Sequence, residues 1–256
     1  MAIIKIFSAI IGVFLAFSAY AGQDFRDIDD YRRWHNAVHN SINGTSRSAD
    51  RARMHYGSTF SYDPLYMGQS WLEEMADIAA ADEIFQQDIL NASDGDAVAY
   101  ANIIIENPQI PSYLPGAESA FRRVLNEISK KDAEYRLRSY QYQALARRQG
   151  LPREVNFKPI SYFSMSNYAS TTRQPSIMER LLALAALDVL GVRDMPEYVS
   201  KVEGISRSHS MTNCFATAKR NSAQCQAAAH DTYDLSYCMA AHNITEVSEC
   251  YSWMLP

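Results

Sequence analysis

Four cysteines crowd the C-terminal end of this 256-residue chain. Residues 1–213 contain none; Cys214, Cys225, Cys238 and Cys250 then fall within 37 positions. An even set at gaps of 10, 12 and 11 residues lacks the close pairs that zinc sites use and reads as two disulfides. Spacing restricts how they pair. Cys214 and Cys225 are eleven apart, three α-helical turns plus about 20°, so they share a face some ~16 Å apart along the axis. That is too far for a bond between them. A turn near residues 231–234 would bring the chain back antiparallel, with Cys238 beside Cys225 and Cys250 beside Cys214. Nested pairs, Cys214–Cys250 and Cys225–Cys238, are therefore expected. One difficulty stands out: twelve residues of unbroken α-helix turn Cys250 about 120° away from Cys238. Asn243, with Glu246 three on, resembles a helix restart, so two short helices with a bend are expected there. In chain-entropy terms the outer bridge contributes about 3–4 kcal/mol.

The other end of the chain reads as an address. Ile6 to Ala19 is almost unbrokenly apolar, Lys5 is the only charge before Asp24, and Ala19-Tyr20-Ala21 has the small-x-small form of a signal-peptidase site. The run is shorter than the ~20 residues a bilayer crossing needs, so residues 1–21 are expected to be removed. The best later apolar run, Ile177 to Leu190, is interrupted by Glu179, Arg180 and Asp188. Export to the periplasm or the extracellular space, with no transmembrane segment after cleavage, is expected. Without residues 1–21 the charge is −6. That balance gives no general attraction to nucleic acid or an anionic membrane.

Between these ends the pattern is helical, and an all-α, irregular multi-helix domain of about 7–10 helices is expected over residues 22–256, with N-terminal helices over 23–150, a connector over 151–175 and C-terminal helices over 176–256. Ile28, Tyr31, His35, Val38 and Ile42 line one helix face. A short helix is expected over 48–56 and a loop from Gly57 to Gly68. Ser70-Trp71-Leu72-Glu73 reads as a capping box opening a helix to Leu90. Residues 97–106 and 117–149 are further helices, the last with a break at Ser129–Asp132 as the alternative. Ser176-Ile177-Met178-Glu179 caps a helix that is apolar nearly all round, the expected centre of the fold. The connector has no helical period. It is expected to strap across the helices through Phe157, Ile160, Tyr162 and Phe163, with a functional loop as the alternative.

No residue is singled out as catalytic, cofactor-binding or metal-binding, and no cofactor is implied. His35 and His39 share a helix face at i, i+4 and form a candidate metal pair, without the glutamate of the zinc-protease motif. Glu73, Glu74, Glu127 and Glu134 are carboxylates available for glycoside hydrolysis. Cys225…His230-Asp231-x-Tyr233-Asp234 resembles the active-site helix of secreted phospholipases A2, which would make His230 the activator of water and Asp231 a calcium ligand. The family's cysteine stands three residues before the histidine, whereas Cys225 stands five before, and the glycine-rich calcium loop is missing. Asn43, Asn91 and Asn243 head formal glycosylation sequons. The expectation is a non-enzymatic exported protein that binds a protein partner or envelope component. The alternative is a small exported hydrolase acting on lipid or cell wall.

Overall fold

The computed structural model describes residues 30–43, 49–147 and 174–252, and among them every regular element is helical. The signal segment expected over residues 1–21 and the connector as far as residue 173 lie outside these residues. The helices are α1 (Asp30–Asn43), α2 (Ala49–Phe60), α3 (Pro64–Ala80), α4 (Glu83–Ala92), α5 (Ala97–Glu106), a 3-10 turn (Ile110–Tyr113), α6 (Ala117–Arg147), α7 (Ile177–Val189), α8 (Val199–Ser206) and α9 (His209–Ala227). A final rod comprises α10 (Thr232–Cys238), a π-helical segment (Met239–Glu246) and α11 (Val247–Ser252).

α7 is the central helix. Ser176 and Glu179 exchange the reciprocal bonds of a capping box at its start, and Gly191, at φ +69°, follows its end. Residues 181–187 are all buried. Each leucine among them stabilises the fold by about 1.5–3 kcal/mol through burial. α3 packs against α7 on one side and α9 on another, while α4, α5 and the 3-10 turn rest on α7.

α3 begins earlier than the sequence reading places it. Asp63 accepts from the Leu65 amide and Pro64 occupies the first helical position, where its missing N–H costs nothing. The expected loop over 57–68 shrinks to residues 61–63, because α2 continues to Phe60. Ser70 is buried in the middle of α3. Its hydroxyl does cap a helix, but a different one: it accepts the Tyr31 amide in the first turn of α1, 3.0 Å away. The expected single helix to Leu90 is also divided, because Asp82 accepts from the Phe85 amide and starts α4 afresh. α6 runs without a break through Ser129–Asp132.

The C-terminal helices form a pair held by two disulfides. Cys214 of α9 is bonded to Cys250 of α11, and Cys225 of α9 to Cys238 of α10. The expected bend between Cys238 and Cys250 is absent; the rod is continuous and its middle is a π-helix. A π-helix bonds i→i+5 and takes about 4.4 residues per turn, or roughly 82° per residue. Over eight residues this slower rotation takes back about 144°, slightly more than the ~120° offset, and returns Cys250 to within about 25° of the Cys238 face. Thr245 Oγ1 donates to the Ala240 carbonyl five residues back, at 2.8 Å, and shares a 2.8 Å hydrogen bond with Ser139 Oγ of α6. Ser139 Oγ is also 3.0 Å from Ala240 O, so the two hydroxyls share two protons among these three contacts, and Trp34 Nε1 of α1 donates to Asn243 O. Neighbouring helices thus satisfy carbonyls of the π segment. Asn243 is buried, and its side chain bonds Ser222 and Thr59, so this sequon asparagine is committed to the core.

Next to Cys250 in the chain, Tyr251 is the centre of an aromatic nest. Tyr251 stacks on Trp71 at 5.3 Å and meets Tyr31, Trp34 and Phe215 at 5.1–5.7 Å. Tyr135 meets Trp34 edge-on at 4.9 Å. Such pairs contribute about 0.5–1.5 kcal/mol each beyond burial. The nest fixes α1, α3, α6, α9 and α11 together, and two of its tyrosines reach the site described next.

Candidate functional site

Three helical stripes converge on an open cleft of about 550 Å³. α1 supplies Arg32, His35 and Asn36, spaced i, i+3, i+4; α3 and its end supply Glu74, Asp77, Ile78 and Ala81 at the same intervals. α6 supplies Arg123, Glu127 and Lys131, each four residues after the last. Those intervals put each set on one helix face.

Beneath the cleft runs a chain of hydrogen bonds. Lys131 Nζ donates to Glu74 Oε1 at 2.6 Å and to the Tyr31 hydroxyl at 3.1 Å. The Tyr31 and Tyr135 hydroxyls are 3.1 Å apart, and Tyr135 Oη is 2.8 Å from His35 Nδ1. Its direction follows from the donor inventory. Lysine only donates, so the Tyr31 oxygen accepts. Tyr31 then gives its one proton to Tyr135, and Tyr135 gives its own to His35 Nδ1. The reverse order would leave the buried Tyr31 proton with no acceptor among the described residues, a costly arrangement. His35 is therefore neutral, with its proton on Nε2.

The electrostatics agree. Burial, then the nearby Lys131 charge, lowers the His35 pKa below its ordinary value, against opposing pulls from Glu134 and Glu74. Burial pushes the Tyr31 and Tyr135 hydroxyls up, which keeps them protonated. For Lys131, burial disfavours the charge, but Tyr31 and Glu74 outweigh it and raise the pKa. All three carboxylates of the cleft are already paired: Glu74 also takes Arg32 Nε at 3.2 Å, Asp77 takes Arg193 Nη1 at 2.5 Å, and Glu127 faces Lys130 at 3.4 Å.

The sequence candidates fall in different places. His35 lines the cleft, while His39, its ring centroid 6.2 Å from that of His35, pairs with Glu134 at 2.5 Å. Burial opposes ionisation of Glu134, yet the hydrogen bond and charge of His39, with Arg138, hold its carboxyl below the ordinary value. Among the described residues no group of three or more metal-ligating side chains converges. Glu74 and Glu127 belong to the cleft; Glu73 turns toward Arg193, 3.8 Å away, and burial raises its pKa. His230 is exposed in the turn after α9. The Asp231 carboxylate accepts the Tyr233 and Asp234 amides as the cap of α10.

No family model, curated protein or solved structure matches the chain. What the cleft can do follows from its own chemistry. Arg123 and Lys131 were not singled out by the sequence, although their i+4 spacing through Glu127 to Tyr135 was there to be read. Helical periodicity placed Tyr31 and Tyr135 on inward faces, but nothing local marked their hydroxyls, which join the aromatic nest to the hydrogen-bond chain.

Proposed function

We propose that this is an exported, non-enzymatic binding protein whose cleft between α1, α3 and α6 holds an oxygen-rich anionic envelope component bearing a carboxylate or phosphate. What carries this reading is the run of contacts Lys131–Tyr31–Tyr135–His35, whose direction is deduced from lysine being a donor only. With Nδ1 accepting from Tyr135 and the proton on Nε2, His35 has no lone pair left for abstracting a proton. It acts as a donor. Arg32 and Lys131 are already paired with Glu74, and Asp77 with Arg193; Arg123, with Nη1 on the Ala81 carbonyl at 3.2 Å, adds its remaining cationic donors beside His35 Nε2. The unspent capacity of the cleft is thus for accepting oxygens, which charge-assisted bonds recognise most strongly. Two disulfides fit an oxidising compartment, and among the described residues no helix is long and apolar enough to cross a membrane. The hydrolase reading has less support, because the Asp231 carboxylate is taken up by backbone amides.

The test is isothermal titration with galacturonate and glucose 6-phosphate against neutral glucose. At least one acidic sugar binds the wild type, glucose does not, and Arg123→Ala weakens the acidic ligand about tenfold. Equal affinity for glucose, or an Arg123→Ala variant that binds as well as the wild type, sinks the assignment.

A further inference from the structure

His35 can gain a proton only by turning its chain of hydrogen bonds around. Its Nδ1 is 2.8 Å from Tyr135 Oη, which is 3.1 Å from the Tyr31 hydroxyl, where Lys131 Nζ donates at 3.1 Å. An imidazolium donates from both nitrogens. Tyr135 then has to accept from Nδ1 and send its own proton to Tyr31. The Tyr31 proton is left with no acceptor among the described residues, which opposes the charge. Burial opposes it as well, then Lys131 and, more weakly, His39, against Glu134 and Glu74, so His35 by itself stays neutral. The other charged groups lining the cleft are Arg32 on α1, Asp77 on α3, and Arg123 and Glu127 on α6. Arg32, Asp77 and Glu127 are each held in an ion pair. No described residue of α2, which also packs on α1, lines the cleft.

We infer that the cleft takes up an anion and a proton together: His35 becomes imidazolium when an anionic oxygen seats at its Nε2, so affinity for the anion rises as pH falls. This rests on the anion-binding reading of the cleft. The negative charge of the ligand, in contact with the ring, favours the imidazolium and offsets the cost of reversing the two tyrosines. Linkage makes the effect reciprocal: the factor by which the anion tightens the proton is the factor by which the proton tightens the anion. A rise in pH removes the proton, restores the Tyr135 bond to Nδ1 and loosens the ligand. His39 stands outside this exchange, because its Nδ1 is held by Glu134 and it does not line the cleft.

The test is isothermal titration of the full disulfide-bonded chain with galacturonate and with glucose 6-sulfate, from about pH 8 to about pH 5. Neither probe changes its own charge over that range, unlike a phosphate monoester, whose second ionisation falls near pH ~6. Wild-type affinity rises about tenfold on acidification, equivalent to one pKa unit of linkage. Buffers of different ionisation enthalpy report net proton uptake on binding, and the His35 ring resonances titrate about one unit higher with the ligand bound. His35→Gln, folded as judged by circular dichroism, binds with an affinity that does not change with pH, whereas His39→Gln keeps the wild-type rise. A flat wild-type profile, or a His35→Gln variant that keeps the rise, overturns the inference and leaves the proposed function standing. Failure of both probes at every pH overturns it as well, and the proposed function falls with it only if glucose 6-phosphate also fails to bind.

Discussion

Cys238 and Cys250 stand twelve residues apart on one continuous rod, and both bond to α9, where their partners Cys225 and Cys214 are eleven apart. The two bridges clamp unequal counts of residues side by side. The π segment takes up the surplus, both in rotation and in rise. Deleting Ala241 should convert the segment to α-helix with both bridges retained, since eleven residues restore a common face. Asn243 and Thr245 would lose their register with Thr59, Ser222 and Ser139, costing about 1–3 kcal/mol for each stranded buried partner. Non-reducing peptide mapping and thermal melts check this; scrambled pairing in the deletion variant would show that the count is not what the π segment resolves.

The Tyr251 hydroxyl is buried and finds no hydrogen-bond partner among the described residues, and burial pushes its pKa well up. Tyr251→Phe keeps the ring contacts with Trp71 and Phe215 and removes the stranded hydroxyl. A gain of about 1 kcal/mol, or roughly 2–4 °C in Tm, is expected. A fall in Tm of that size would mean that a buried water serves the hydroxyl.

Acid should weaken the attachment of α1 to α6. The folded protein holds His35 below its ordinary pKa, so the unfolded chain binds more protons there and stability rises with pH. The contribution is complete above the unfolded value of about 6.5 and is lost as pH falls through the lower folded value. Lys131 and His39 oppose the imidazolium, whereas Glu134 and Glu74 favour it. Melting from pH 7.5 down to about 5 should show Tm falling less steeply in His35→Gln than in the wild type. Parallel curves would remove His35 from the acid response.

Gly116 sits against the first turn of α4. A β-carbon there would lie 2.7 Å from Phe85 N and 2.8 Å from Phe85 Cα, both backbone atoms, and Asp88 already accepts the Gly116 amide at 2.6 Å. Gly116→Ala should destabilise by about 1–3 kcal/mol through overpacking. A β-carbon on Gly57, in α2, would meet nothing within 4 Å, so Gly57→Ala should instead gain about 0.5–1 kcal/mol from helix propensity. Melts of the two variants should move in opposite directions; a neutral Gly116→Ala would mean that α4 shifts freely on α6.

Purified from an exporting host, the chain should have the mass of residues 22–256 less the hydrogens of two disulfides. A mass that includes residues 1–21 would remove the argument for cleavage at Ala21.

Much of this architecture was written in short-range sequence. The Ser176–Glu179 box, the apolar girth of 181–187 and Gly191 define α7 almost by themselves, because capping and periodicity act within a few residues. Two helix starts differ from the sequence reading for an equally local reason: Asp63-Pro64 and Asp82 are stronger helix openers than Ser70, whose hydroxyl serves a neighbour instead. The cleft was not legible. Arg32, Glu74 and Arg123 come from three helices far apart in sequence, and each reads as an ordinary surface charge until packing sets the helices side by side. The π segment was decided in the same way. Its sequence is ordinary for an α-helix, and only the bridges to α9, with hydrogen bonds from Ser139 and Trp34, make the wider helix the one that satisfies both ends.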